Sequence, residues 1–153
     1  MKRRMILSAL ILLSIPFADS GVSLGAPQNI IGTWVVVSQI VTQCCNDPNA
    51  LQPGSIMPTV TWAITNSANG PILTTDKGSV SGQYSSNGAM FEFTTPVLSI
   101  ETSYSYCLTH IECYADSPAS MYGILENHYR TYNYITGATI ETCLEAFKFR
   151  ATK

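Results

Sequence analysis

The feature that most constrains this chain is short-range alternation of apolar and polar residues, broken by turn formers at intervals of roughly 8–12 residues. Val60, Trp62 and Ile64 alternate with Thr59, Thr61, Ala63 and Thr65. Phe91 and Phe93 flank Glu92, and Phe147 and Phe149 flank Lys148. Such a two-residue period sends successive side chains to opposite faces, so these runs read as half-buried strands. Further runs cover Ile31–Thr42, Ile72–Thr75, Val80–Tyr84, Val97–Cys107, Met121–Tyr129, Arg130–Thr136 and Ile140–Ala151. Between them lie Asn66–Pro71, Asp76-Lys77-Gly78, Ser85–Gly88, Asp116–Pro118 and Gly137. Asn87-Gly88 is the strongest two-residue hairpin signal among them. No stretch carries helical periodicity. The expectation is an all-β domain, a single antiparallel up-and-down β-barrel of about eight to ten strands, with a β-sandwich as the alternative. The alternation slips near Glu145-Ala146, which predicts a bulge or bend there. Cys44–Pro58 holds Pro48, Pro53, Pro58 and Gly54 and reads as the one long loop.

The N-terminus reads differently. Lys2, Arg3 and Arg4 precede an apolar stretch from Met5 to Phe17, followed by Ala18-Asp19-Ser20. This is the grammar of a secretory signal over residues 1–20, cleaved before Gly21. The stretch is shorter than the roughly 20 apolar residues a spanning helix needs, so no transmembrane segment is expected in the mature chain. The domain is then 21–153, exported to a periplasm or the extracellular space. Its five Lys/Arg and nine Asp/Glu give a net charge of −4, with nothing basic clustered. A nucleic-acid partner is therefore not expected.

All five cysteines, Cys44, Cys45, Cys107, Cys113 and Cys143, lie in the mature part. In an oxidising compartment the default is disulfide pairing, here two bridges and one free thiol. Cys107 and Cys113 cannot bridge each other if the segment between them is extended, because their Cα atoms would be roughly 20 Å apart. Cys44 or Cys45 then reaches one of them or Cys143 and pins the long loop to the wall, and the vicinal pair splits. Cys107-x-x-His110-x-x-Cys113 has the spacing of a metal site, but thiolates outside the cytoplasm tend to pair, so no metal is expected. Neither His110 nor His128 is placed beside an activated nucleophile by any motif, and no catalytic residue or cofactor stands out. Glu92, Glu101, Glu112, Glu126, Glu141 and Glu145 are scattered along strands and read as outer-face groups.

Gly32-Thr33-Trp34 at the entry to the first strand, together with Arg150 in the last, resembles the ends of the lipocalins and the wider calycin-type barrels. The resemblance implies a Trp34 indole covered by the Arg150 guanidinium, sealing the barrel base, with Gly32 permitting a tight bend beneath it. The middle lipocalin motif is not identifiable, and the tryptophans of an avidin pocket are missing apart from Trp62.

The resemblance implies an exported, non-catalytic binder of a small hydrophobic or amphipathic molecule. Its lining is expected from Trp62, Phe91, Phe93, Tyr104, Tyr106, Tyr122, Tyr132 and Tyr134, since tyrosine offers an apolar wall with a polar tip. The rival expectation is a protein partner, with the domain acting as a secreted interaction or inhibitor module through the Cys44–Pro58 loop.

Overall fold

The computed structural model describes residues 30–45 and 51–153. The expected signal over 1–20, the lead-in over 21–29 and residues 46–50 of the long loop lie outside the described residues.

Eight strands follow one another: β1 (Gly32–Gln43), β2 (Val60–Ser67), β3 (Gly70–Thr75), β4 (Gly78–Tyr84), β5 (Gly88–Ile100), β6 (Ser103–Ser117), β7 (Ser120–Asn133) and β8 (Thr139–Thr152). Each pairs antiparallel with its sequence neighbour, and β8 returns to β1, closing an up-and-down barrel. Closure removes the sheet edges that the alternative sandwich would leave. Among the described residues no helix is long and apolar enough to cross a membrane.

The register stacks inward-facing side chains in rows, because directly paired residues share a face. The lowest row runs Ala115, Met121, Ala151, Val36. Above it lie Ala89, Cys113, Gly123, Phe149 and Ser38, then Phe91, Ile111, Leu125, Phe147 and Ile40. Trp34, Trp62, Ile64 and Leu73 complete this apolar half from the short strands. Two glycines make room in it. A Cβ on Gly123 would lie 2.5 Å from Phe149 Cζ, so the missing side chain is where the Phe149 ring packs. At Gly82 a Cβ would similarly collide with the Phe91 ring.

The barrel is closed at one end. Ile30 is fully buried there, and its carbonyl accepts a 2.8 Å hydrogen bond from Trp34 Nε1, so the buried indole N–H is satisfied. The other end is oblique. At about 3.3 Å per residue, the 15-residue β6 is roughly 50 Å long and the 6-residue β3 roughly 20 Å. The β5–β8 wall therefore rises well above the β2–β4 wall.

Two segments differ from their sequence expectation. Val97–Cys107 is not one strand: the chain turns at Glu101-Thr102, which carries no glycine or proline to announce it. Pro96 lies inside β5, paired with Tyr106 beside a register shift. It is tolerated because β4 pairs with β5 over Gly82–Tyr84 and Ala89–Phe91, below Pro96, leaving that side of β5 free of a ladder it would break. Met121–Thr136 is not two strands but one, β7, ending at Asn133. The expected irregularity near Glu145-Ala146 is present, as a register shift between Ile40 and Thr42 of β1 opposite Phe147 and Ala146.

Candidate functional site

The chemistry of the barrel interior changes one row above Phe91 and Phe147. The next row reads Phe93, Thr109, Asn127, Glu145 and Gln43, and the row above it Thr95, Cys107, Tyr129 and Cys143. Here Phe93, Asn127, Tyr129 and Glu145 are half-buried, while Cys107 and Thr109 are buried. The interior thus passes from a packed apolar plug to a mouth lined with polar groups.

These groups hold one another. Thr109 Oγ1 donates to Asn127 Oδ1 at 3.0 Å. Asn127 Nδ2 donates to Glu145 Oε2 at 3.5 Å, and the Tyr129 hydroxyl donates to the same oxygen at 3.4 Å. Cys107 Sγ lies 3.7 Å from Thr109 Oγ1. Burial pushes the Tyr129 phenol up to about 12, helped by the negative charge of Glu145. Burial likewise raises the Cys107 thiol, opposed first by its hydrogen bond with Thr109 and least by the charge of Lys77. Both groups remain protonated near neutral pH, so Tyr129 acts as a hydrogen-bond donor.

Cys45 and Cys143 are bridged beside this row, tying the start of the long loop to β8 across 98 residues of sequence. One ligand atom each from Cys45, Cys143 and Glu145 lies within 4.8 Å of the others. While the two sulfurs are bonded to each other they offer no thiolate to a metal. The vicinal pair splits as expected, with Cys44 free and exposed. The second expected bridge is absent: Cys107 and Cys113 are both free and buried, on the inward face of β6 in rows too far apart to meet. His110 alternates with them, so it faces outward and lies 3.8 Å from Glu92 and 3.1 Å from Glu112. The three residues of the metal-like spacing therefore never converge.

Of the expected lining residues, Trp62, Phe91 and Phe93 face inward, with Trp62 edge-on to Phe149 at 5.0 Å. The tyrosines do not. Tyr104 and Tyr106 share the outward frame of β6, and Tyr122 and Tyr132 that of β7. Tyr134 lies past the end of β7. Tyr104, Tyr106, Tyr132 and Tyr134 form an outer cluster with ring centroids 5.3–5.8 Å apart. Tyr122 packs on Tyr114 at 5.7 Å, lining an outer groove of about 640 Å³ with Lys148, Arg150 and the loop residue Ile56. Period-2 spacing was visible in sequence, but a frame alone does not say which face is inside.

The base of the barrel also departs from expectation. Gly32 has φ 140°, the bend expected of it. The cation over buried Trp34 is Lys153, with Nζ 4.5 Å from the ring centroid, not Arg150. Arg150 pairs with Val37 and Tyr122 on the outer face, 3.5 Å from Asp116 and with its side chain 76% exposed. Glu145, expected on the outer face, points inward. Carrying the frame of Phe149 and Phe147 two residues back would have found it. The same step from Met121 and Leu125 reaches Asn127 and Tyr129.

No family model matches this chain, and none of the curated proteins does.

Proposed function

We propose that the chain is an exported, non-catalytic binding protein for a small hydrophobic or amphipathic molecule, held in the upper interior of a lipocalin-like barrel. The observation that carries this reading is the change from packed apolar rows to two rows that hold half-buried Asn127, Tyr129 and Glu145. An eight-stranded barrel is wide enough either to fill with side chains or to hold one small ligand. A mouth that joins aromatic walls to a few held polar groups is the usual make-up of such a site. In this reading Tyr129 takes the lining role first expected of the outer tyrosines, beside Phe93, which keeps the role expected of it.

The test is native mass spectrometry of the mature protein purified from an oxidising compartment. A discrete added mass lost on denaturation supports the reading. It is overturned if the protein is always bare and no hydrophobic probe shifts its melting temperature.

A second reading, a protein-interaction module acting through the Cys44–Pro58 loop, draws on Ile56, which is 71% exposed. It predicts that deleting Asp47–Ser55 abolishes capture of a partner while the barrel stays folded.

A further inference from the structure

Glu145 is the one acidic or basic side chain that the strand register turns into the barrel interior among the described residues. We propose that it makes the mouth selective for an organic cation: a protonated amine carried on an apolar body. The inference rests on the reading of the barrel mouth as a ligand site and names the class of ligand.

Asn127 and Tyr129 both donate to Oε2 of Glu145. Two donors on one oxygen orient the carboxylate without neutralising it. No Lys, Arg or His lies in ion-pair contact with Glu145 among the described residues. A neutral apolar ligand entering the mouth would strip water from this carboxylate and leave its charge without a partner, which is costly. An anion would add repulsion. A protonated amine instead supplies the missing counter-charge, forming a charge-assisted hydrogen bond as its apolar part displaces water from the walls.

The walls suit such a guest. Phe93 is paired into the same row as Thr109, and Phe147 lies directly below Glu145 on β8. Aromatic faces attract cations as well as apolar chains. Lys77, in the β3–β4 turn, also brings its charge to bear on Cys107. β3 stands three strands and β4 four strands from β8 around the closed barrel, and Lys77 makes no ion pair with Glu145.

The experiment compares three probes with the same tail, n-decylamine, 1-decanol and decanoate. Each is titrated at pH 7 against the mature, disulfide-bonded protein by displacement of a neutral fluorescent hydrophobe. The amine is expected to bind at least about tenfold more tightly than the alcohol, with decanoate weakest. Glu145→Gln keeps the shape and an acceptor oxygen but removes the charge, so it should abolish the amine's advantage by weakening the amine and letting the alcohol bind at least as tightly as before. If alcohol and amine bind the wild-type protein equally, or decanoate binds best, the cation proposal is overturned while the ligand-site reading stands. If neither the hydrophobe nor any of the three binds, both fail. The wild-type comparison decides the matter even if the variant does not fold.

Discussion

Lys153 Nζ stands 4.5 Å from the centre of the Trp34 ring, closing the lower end of the barrel just past β8. The indole is fully buried and its N–H is bonded to the Ile30 carbonyl, so the ring is held for the cation to rest on. Lys153→Ala should therefore lower stability by about 1 kcal/mol. Arg150→Ala, which removes an exposed ion pair with Asp116, should leave stability nearly unchanged. Urea denaturation of the two variants checks this. Equal losses would mean that the base is not sealed through Trp34.

Gly123 is a packing device. A Cβ there would fall within 3 Å of two Phe149 ring atoms and collide with the Glu112 carbonyl, which is backbone and cannot swing away. Gly123→Ala should cost about 3 kcal/mol, at the upper end of overpacking effects. The melting temperature reads the loss. A variant as stable as the parent would contradict the close approach of β6, β7 and the Phe149 ring.

Cys113 is fully buried, and its thiol is pushed up to about 11 from an ordinary 9.0 by that burial, with the Ala89 carbonyl accepting from it at 3.4 Å. Below pH 9 the thiol is protonated in both folded and unfolded chains and the full stability is present. As pH rises from 9 through about 11, the unfolded chain releases the proton first. Stability should then fall by about 2–3 kcal/mol. Denaturation curves collected across this range should show the slope, and Cys113→Ala should flatten it. At pH 8 an aromatic disulfide reagent should titrate the exposed Cys44 in the native protein, and Cys107 and Cys113 only after unfolding.

The Cys45–Cys143 bridge closes a loop that spans most of the barrel. Chain-entropy arguments put its contribution at about 2–5 kcal/mol. Reduction, or Cys45→Ser, should lower the urea midpoint accordingly and free the start of the long loop from β8. The Cys44→Ser variant should behave as the parent does, because Cys44 takes no part in the bridge.

The strand rhythm was legible because alternation and turn chemistry are local. Val60, Trp62 and Ile64 paired where the pattern put them, and Phe147 and Phe149 faced inward as their spacing predicted. The Glu101-Thr102 turn was not legible, since neither residue carries a strong turn preference and the flanking runs are equally β-prone. The candidate site was less legible still. Tyr104 and Tyr106 were the conspicuous pair, yet Thr109, Asn127, Tyr129 and Glu145 are the groups that meet inside.

The sequence by itself determined the class of fold: short amphipathic strands with frequent turns can hide their apolar faces only by curling one sheet on itself or stacking two. The tertiary structure decided which face was inside, that β8 would close on β1, and that Lys153 rather than Arg150 would reach Trp34. The reason is physical. A period of two leaves both faces of a strand open, and one residue of register, such as the slip at Val41, exchanges them. The closed set of pairings, in which every row must agree with its neighbours around the barrel, is what sets Glu145 beside Asn127 and within reach of Tyr129.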